Sequence, residues 1–206
     1  MQDLTVKKNV KILSEEPFVG FLRNFLNAQE CQELIDEAKD DLKRAKVLDQ
    51  RKGERFSKGR TNQSCFLKHD SSLAIKNFQI KLFEELGVKK KHLTQFQILK
   101  YSTKEKYSRH FDAYTQEFLN LKKVNQRKVT FLAYLNEVDS GGQTYFPLLD
   151  ISVPPSKGGL LIFNNCFGNS IFTHPKSIHG SKPVRKGSKW ALNFWSSTLI
   201  FSNKVS

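Results

Sequence analysis

Apolar residues recur in two different rhythms along this chain, and the change falls near residue 90. In the first stretch, Asn27-Ala-Gln-Glu30 has the form of a capping box: Asn27 can accept from an early backbone N–H while Glu30 reaches back. Cys31, Leu34, Ile35, Ala38 and Leu42 follow at helical spacing and predict a one-sided helix to about Lys46. A second helix is predicted from Ile75, Phe78, Leu82, Phe83 and Leu86, capped by Ser71 or Ser72 and ended by Gly87. Residues 17–26 are apolar and read as a strand or a packed lead-in. Residues 51–69 are polar, basic and without a sustained period, so they read as a surface loop, long enough to cover a site.

From Leu93 onward the period becomes two. Residues 93–101 place Gln97, Leu99 and Tyr101 on one face, and residues 128–136 form a further strand closed by Asp139-Ser-Gly-Gly142. Residues 143–146, 151–153, 159–163 and 189–197 are shorter strand candidates between Pro/Gly turns. Two helices followed by many short strands predict an α+β fold. The expected form is a double-stranded β-helix (jelly roll) with N-terminal supporting helices. We expect a single domain over 1–206, with 1–90 a helical buttress and loop and 91–201 the jelly-roll core.

Composition narrows this picture without changing it. With 206 residues, 38% of them hydrophobic and 17 of them Phe, the chain can bury a sizeable interior. No apolar run is long enough to cross a bilayer, and the polar start lacks the apolar segment of a secretory signal. Cys31, Cys65 and Cys166 are scattered and odd in number, unlike a disulfide framework or a zinc site, which fits a reducing cytoplasm. The net charge of +14 suits either nucleic acid or an acidic protein partner, but the lysines are spread along the chain, as on a solubilising surface. Nucleic acid stays open as an alternative partner.

The chemistry concentrates in Tyr107-Ser-Arg-His110-Phe-Asp112. In an extended strand, His110 and Asp112 share a face and offer an imidazole nitrogen and a carboxylate to one metal. A distant histidine would complete the 2-His-1-carboxylate set that leaves open positions on iron in non-haem oxygenases. His69 and His92 read as surface residues. His179, beside Gly180, is the preferred third ligand, with His174, which precedes Pro175, as the fallback. His-x-Asp alone is weak, since most such pairs are ordinary polar strand residues. Lys189 adds weight: it shares a strand face with Ala191, Asn193 and Trp195, and a lysine inside a barrel is costly unless it meets a negative charge such as a dicarboxylate.

Tyr101, Tyr107, His110-x-Asp112, Arg127-Lys-Val-Thr-Phe-Leu-Ala-Tyr-Leu-Asn, Gly141-Gly-Gln-Thr144-Tyr-Phe-Pro, and His179 through Pro183, Gly187-Ser-Lys189-Trp190 to Trp195, in that order, resemble the catalytic domain of the prolyl 4-hydroxylases. These are Fe(II)- and 2-oxoglutarate-dependent dioxygenases. The resemblance extends to the first helix entry and to Arg60-Thr-Asn-Gln-Ser-Cys-Phe-Leu67, which is similar to the family's flexible loop near the active site. It implies His110, Asp112 and His179 as iron ligands. It implies Lys189 as the partner of the distal carboxylate of 2-oxoglutarate, with Tyr101 and Thr144 as hydrogen-bonding helpers, and Tyr107, Arg127 and Trp195 along the peptide groove. It further implies O2 as co-substrate, ascorbate as an accessory reductant, succinate and CO2 as co-products, and a proline-containing peptide or protein as substrate. Three departures from the family's pattern are Gln143 in place of Glu, Lys182 before Pro183 where many relatives have Cys, and a longer, more polar segment at 164–176. Two other readings stand beside this one: an oxygenase acting on nucleic acid, and a jelly-roll module that only binds.

Overall fold

The computed structural model describes residues 10–198; the first nine residues and 199–206 lie outside it, including the last three positions of the expected 91–201 core. In chain order the strands and helices are β1 (Lys11–Glu15), β2 (Phe18–Leu22), α1 (Ala28–Asp36), β3 (Lys43–Arg44), β4 (Val47–Asp49), β5 (Gly53–Arg55), β6 (Gln63–Leu67) and α2 (Leu73–Leu86). They continue as β7 (Phe96–Tyr101), β8 (Tyr107–His110), α3 (Gln116–Lys122), β9 (Val129–Tyr134), β10 (Ser140–Gly141), β11 (Thr144–Phe146) and β12 (Ile151–Val153). The last are β13 (Leu160–Asn164), β14 (His179–Ser181), β15 (Val184–Lys186) and β16 (Lys189–Ser196).

Eight strands form the main sheet in the order β1-β2-β13-β9-β16-β7-β6-β3, and four form a smaller sheet, β12-β11-β14-β8. All strand pairs in both are antiparallel. This is the expected jelly roll. The central strands are apolar in both phases because both faces of the main sheet are covered. One face of β9, β13, β16 and β7 packs Phe131, Ala133, Leu160, Ile162, Leu192, Phe194, Phe96 and Ile98 against Cys31, Leu34, Ile75, Phe78, Leu82 and Leu86 of the helices. Phe78, Phe96 and Phe194 meet edge to face there, and Phe131 stacks on Phe194. Each such fully buried side chain contributes roughly 1.5–3 kcal/mol relative to exposure. The opposite face, with Leu99, Leu132, Tyr134, Leu161 and Phe163, looks toward Phe146 and Val153 of the smaller sheet. The reactive groups lie on that inner side.

Local signals set several boundaries as expected. Asn27 and Glu30 form the capping box of α1, Ser72 caps α2, and Gly87 closes α2 in the left-handed region. Gly141, also left-handed at φ +84°, passes so close to the β15 side that a Cβ there would overlap the Pro183 carbonyl oxygen.

Other expectations are corrected. The first helix stops at Asp36, well short of Lys46. Asp40 and Asp41 would place negative charge at a helix C-terminus, which disfavours extension. The chain turns instead and pairs Lys43 and Arg44 with β6. Residues 51–69 are not one loop: β4 and β5 make a hairpin, and β6 inserts into the main sheet beside β7. Half-buried Gln63 and Ser64 hid its alternation. Phe83 faces out, 55% exposed. His69 and His92 are half-buried rather than on the surface, and the His69 ring packs edge-on against Phe96. Helix α3, capped by Thr115, lies where the pattern gave no element. Most important for the site, β8 ends at His110, so Asp112 lies beyond the strand rather than along it. Its partner β14 begins only at His179, after a 3₁₀ turn at Pro175–Ser177, so no partner strand remains beyond the His110–His179 pair.

Candidate active site

His110 and His179 sit opposite each other in the β8–β14 ladder, their ring centroids 4.4 Å apart. The bend after β8 returns the Asp112 carboxylate to both: Oδ1 lies 3.5 Å from His110 Nε2, and Oδ2 lies 3.6 Å from His179 Nε2. One donor atom from each of the three residues falls within 4.8 Å of the others.

Both imidazoles are oriented in the same way. His110 Nδ1 is 2.9 Å from the carbonyl oxygen of Ser108, and His179 Nδ1 is 3.0 Å from that of Ser177. A carbonyl only accepts, so each Nδ1 carries the proton and each Nε2 presents its lone pair to the Asp112 side. Burial pushes the His179 pKa down to about 4, against the opposing pull of Asp112, which keeps the ring neutral at physiological pH. Burial alone would raise Asp112, but His179 and His110, with the Trp195 indole adding to the same effect, hold its carboxyl well below the ordinary range. Thr130 Oγ1 donates to Asp112 Oδ2 at 2.7 Å, and Asn165 Nδ2 donates to Thr130 Oγ1 at 2.8 Å. Two imidazoles and an ionised, hydrogen-bonded carboxylate, with their donor atoms within 4.8 Å of one another, make a donor set that fits Fe(II).

The triad borders a cavity of about 590 Å³, and Tyr101, Tyr107, Arg127, Thr144, Lys189 and Trp195 line it too. Lys189 is 1% exposed. Its Nζ donates to the Gly142 carbonyl at 2.9 Å and to Ser181 Oγ at 3.0 Å, with Thr144 Oγ1 at 3.4 Å. The rings of Tyr101 and Tyr134 lie 5.2 and 5.4 Å from it. Among the described residues it has no carboxylate partner, and burial pushes its pKa down to about 7. Tyr134 Oη donates to Thr144 Oγ1 at 2.8 Å, linking the two.

Tyr107 stacks on His110 with ring centroids 3.6 Å apart, and the Arg60 guanidinium lies 4.5 Å from the Tyr107 ring centroid. The Arg127 guanidinium lies 3.6 Å over Trp195 and 4.6 Å from the Tyr114 ring centroid. Its Nε is buried without a hydrogen-bond partner, and burial lowers its pKa. The fallback ligand His174 is elsewhere: Nε2 is 3.2 Å from Glu16 Oε1, and Nδ1 accepts from the Lys176 amide.

Every residue the pattern singled out for the site reaches this cavity except His174. Thr130, Ser181, Tyr134 and Arg60 had been given no individual role. Thr130 and Ser181 were readable, each being a polar residue two positions from an inward neighbour on its strand; for Arg60 the signal was the resemblance of residues 60–67 to the family's loop near the active site.

The model of the 2OG-Fe(II) oxygenase superfamily matches residues 96–197, from β7 to the residue after β16. Prolyl 4-hydroxylase 5 of Arabidopsis thaliana is 33% identical over 208 residues, spanning 90% of this chain and 70% of that protein. This chain belongs to the prolyl 4-hydroxylase family of 2-oxoglutarate/Fe(II) oxygenases. Prolyl 4-hydroxylase 13 of the same plant is 33% identical over 201 residues, covering 89% of this chain and 72% of that protein. Among solved structures, the viral collagen prolyl hydroxylase of Paramecium Bursaria Chlorella virus-1 in its 2OG complex superposes with a TM-score of 0.70 at 24% identity, over 86% of this chain and 94% of that one. A Pseudomonas putida prolyl-4-hydroxylase superposes with a TM-score of 0.58 at 19% identity, over 86% and 91%. These two likenesses establish the fold, and family membership makes the protein a 2-oxoglutarate-dependent dioxygenase.

Proposed function

We propose that this protein hydroxylates prolyl residues of a peptide or protein, using Fe(II), 2-oxoglutarate and O2 and releasing succinate and CO2. The observation that carries the reading is Lys189: a buried cation without a carboxylate, in the same cavity as a 2-His-1-carboxylate set. An enclosed lysine needs an anion, and the far carboxylate of a metal-chelating keto acid is one of suitable reach.

His110, Asp112 and His179 would hold the metal, their Nε2 and carboxylate atoms presented by the Nδ1 and Thr130 contacts described above. Ferrous iron with 2-oxoglutarate supplies oxidative decarboxylation coupled to insertion of oxygen into a C–H bond. Lys189 receives the distal carboxylate, while Thr144, bonded to Tyr134, and the Tyr101 ring shape that end of the cavity. Tyr107, Arg127 and Trp195 also line the cavity, where a proline ring can lie against aromatic faces. Tyr101, Phe163 and Trp195, buried aromatic members of an otherwise largely polar lining, limit water beside the reacting carbon. The reading covers 1–206 as one catalytic domain. It also places the protein in a reducing compartment such as the cytoplasm, supported by the free, buried state of Cys31, Cys65 and Cys166.

The direct test is decarboxylation of 2-oxoglutarate with Fe(II) and ascorbate. Proline-containing peptides are expected to stimulate turnover, with hydroxyproline formed in proportion to succinate. Turnover uncoupled from any change in peptide mass would refute prolyl hydroxylation.

Thr130 supplies a further check. Thr130→Val keeps the shape but removes the hydrogen bond to Asp112. Metal affinity, measured by titration with Fe(II) or Mn(II), is expected to fall about 10- to 100-fold. An unchanged affinity would show that Asp112 needs no such support.

A further inference from the structure

Charge at the cavity mouth is one-sided. Lys43, Arg44, Arg60 and Arg127 all line it, and among the described residues none has a carboxylate within ion-pair distance. Lys46 is offset by Glu54 at 3.7 Å, leaving Asp41 as the remaining acid of the rim. Arg44 lies over the exposed Phe56 ring, 5.1 Å from its centroid. Leu48, Phe66 and Phe111, exposed by 40%, 54% and 43%, line the same mouth. Apolar side chains interleaved with these cations, continuous with the catalytic cavity, form a surface on which Asp41 is, among the described residues, the one rim acid outside an ion pair.

We propose that this mouth selects proline-containing peptides that carry acidic side chains a few residues from the reactive proline, read chiefly by Lys43 and Arg44. The inference rests on the prolyl-peptide reading above. Strand order sets the distance: from β9, whose Thr130 touches Asp112, the main sheet runs through β16, β7 and β6 to β3. Four strand steps of about 4.8 Å come to roughly 20 Å on a flat sheet, and less on a twisted one. A polyproline-like peptide rises about 3.1 Å per residue. Side chains about four to six residues from the proline therefore reach Lys43 and Arg44. Leu48, Phe66 and Phe111 offer the intervening residues apolar contact. Lys43 and Arg44 have no ion-paired carboxylate among the described residues, so an acidic peptide gains attraction there without displacing an existing ion pair.

The test uses the full chain and one proline peptide in three versions, with Asp/Glu, Asn/Gln or Lys at those flanking positions. The acidic version is expected to exceed the neutral one on the order of 10-fold in kcat/KM, with the Lys version lowest. The difference should shrink as salt rises from about 0.05 to 0.5 M. Lys43→Glu/Arg44→Glu changes two exposed residues of a short edge strand, and thermal melting verifies its fold. That variant is expected to reverse the order of the acidic and Lys peptides. Equal kcat/KM for acidic and neutral peptides overturns the proposal, as does an acidic preference that survives the double substitution. If no version is hydroxylated, the prolyl-peptide reading falls with it. Oxidation of a single-stranded oligonucleotide, with the peptides inert, would assign the basic rim to nucleic acid instead.

Discussion

Replacing His179 with alanine is expected to reduce 2-oxoglutarate turnover more than about 100-fold, beyond the range of losses at residues that only support a ligand. The ring is buried against Phe163 and Phe146, and its Nε2 is one of only two imidazole donors in the triad. Because a truncated ring also leaves a cavity that costs stability, His179→Gln serves as the shape-preserving companion, with near-ultraviolet circular dichroism reporting packing. His174→Ala is the informative contrast. His174 binds Glu16 and a 3₁₀ turn, not the cavity, so its loss should leave metal affinity unchanged. If His174→Ala abolished metal binding and His179→Ala did not, the ligand set would be wrong.

The second large effect lies at Lys189. Lys189→Met is expected to raise the KM for 2-oxoglutarate about 10- to 100-fold, the value of a charge-assisted hydrogen bond in a buried site. Its pH dependence is a sharper signature. Burial pushes the pKa to about 7, below the ordinary lysine value. Below pH 7 the ammonium is present before the cosubstrate arrives, and above it binding must draw a proton from solvent. The KM should be nearly flat below about pH 7 and climb by up to about tenfold per pH unit above it. Lys189→Arg keeps its charge at every pH, so its profile should stay flat through pH 9 even if its affinity is lower. A wild-type profile without a break near pH 7 would contradict the assignment. Stability without ligand follows the opposite sign. Between about pH 7 and 10.5 the native chain holds fewer protons at this lysine than the unfolded chain, so this group's contribution rises with pH across that window.

Much of the fold was legible because hydrophobic period reports directly on which faces are covered. The α2 core positions, the caps at Asn27 and Ser72, and the inward set Gln97, Leu99 and Tyr101 all follow from local rules. The failures have physical causes. The β3–β6 pairing is long-range, and two half-polar residues masked β6, so a helix was extended where an edge strand forms. Asp112 reaches the site by a bend rather than by strand alternation, a position that depends on where β14 begins and cannot be read near residue 112 itself. Family motifs, being ordered sets of residues, survived that error. The Thr130–Asn165 support did not announce itself, since Asn165 follows the last residue of β13 and meets Thr130 only through tertiary packing.

Residues 110 and 179 face each other across β8 and β14 of the smaller sheet, far apart in the chain. A slip of one position in this ladder would turn the second imidazole to the opposite side and dismantle the donor set. On the proposed ligand set, metal binding therefore reports on the register of this one ladder.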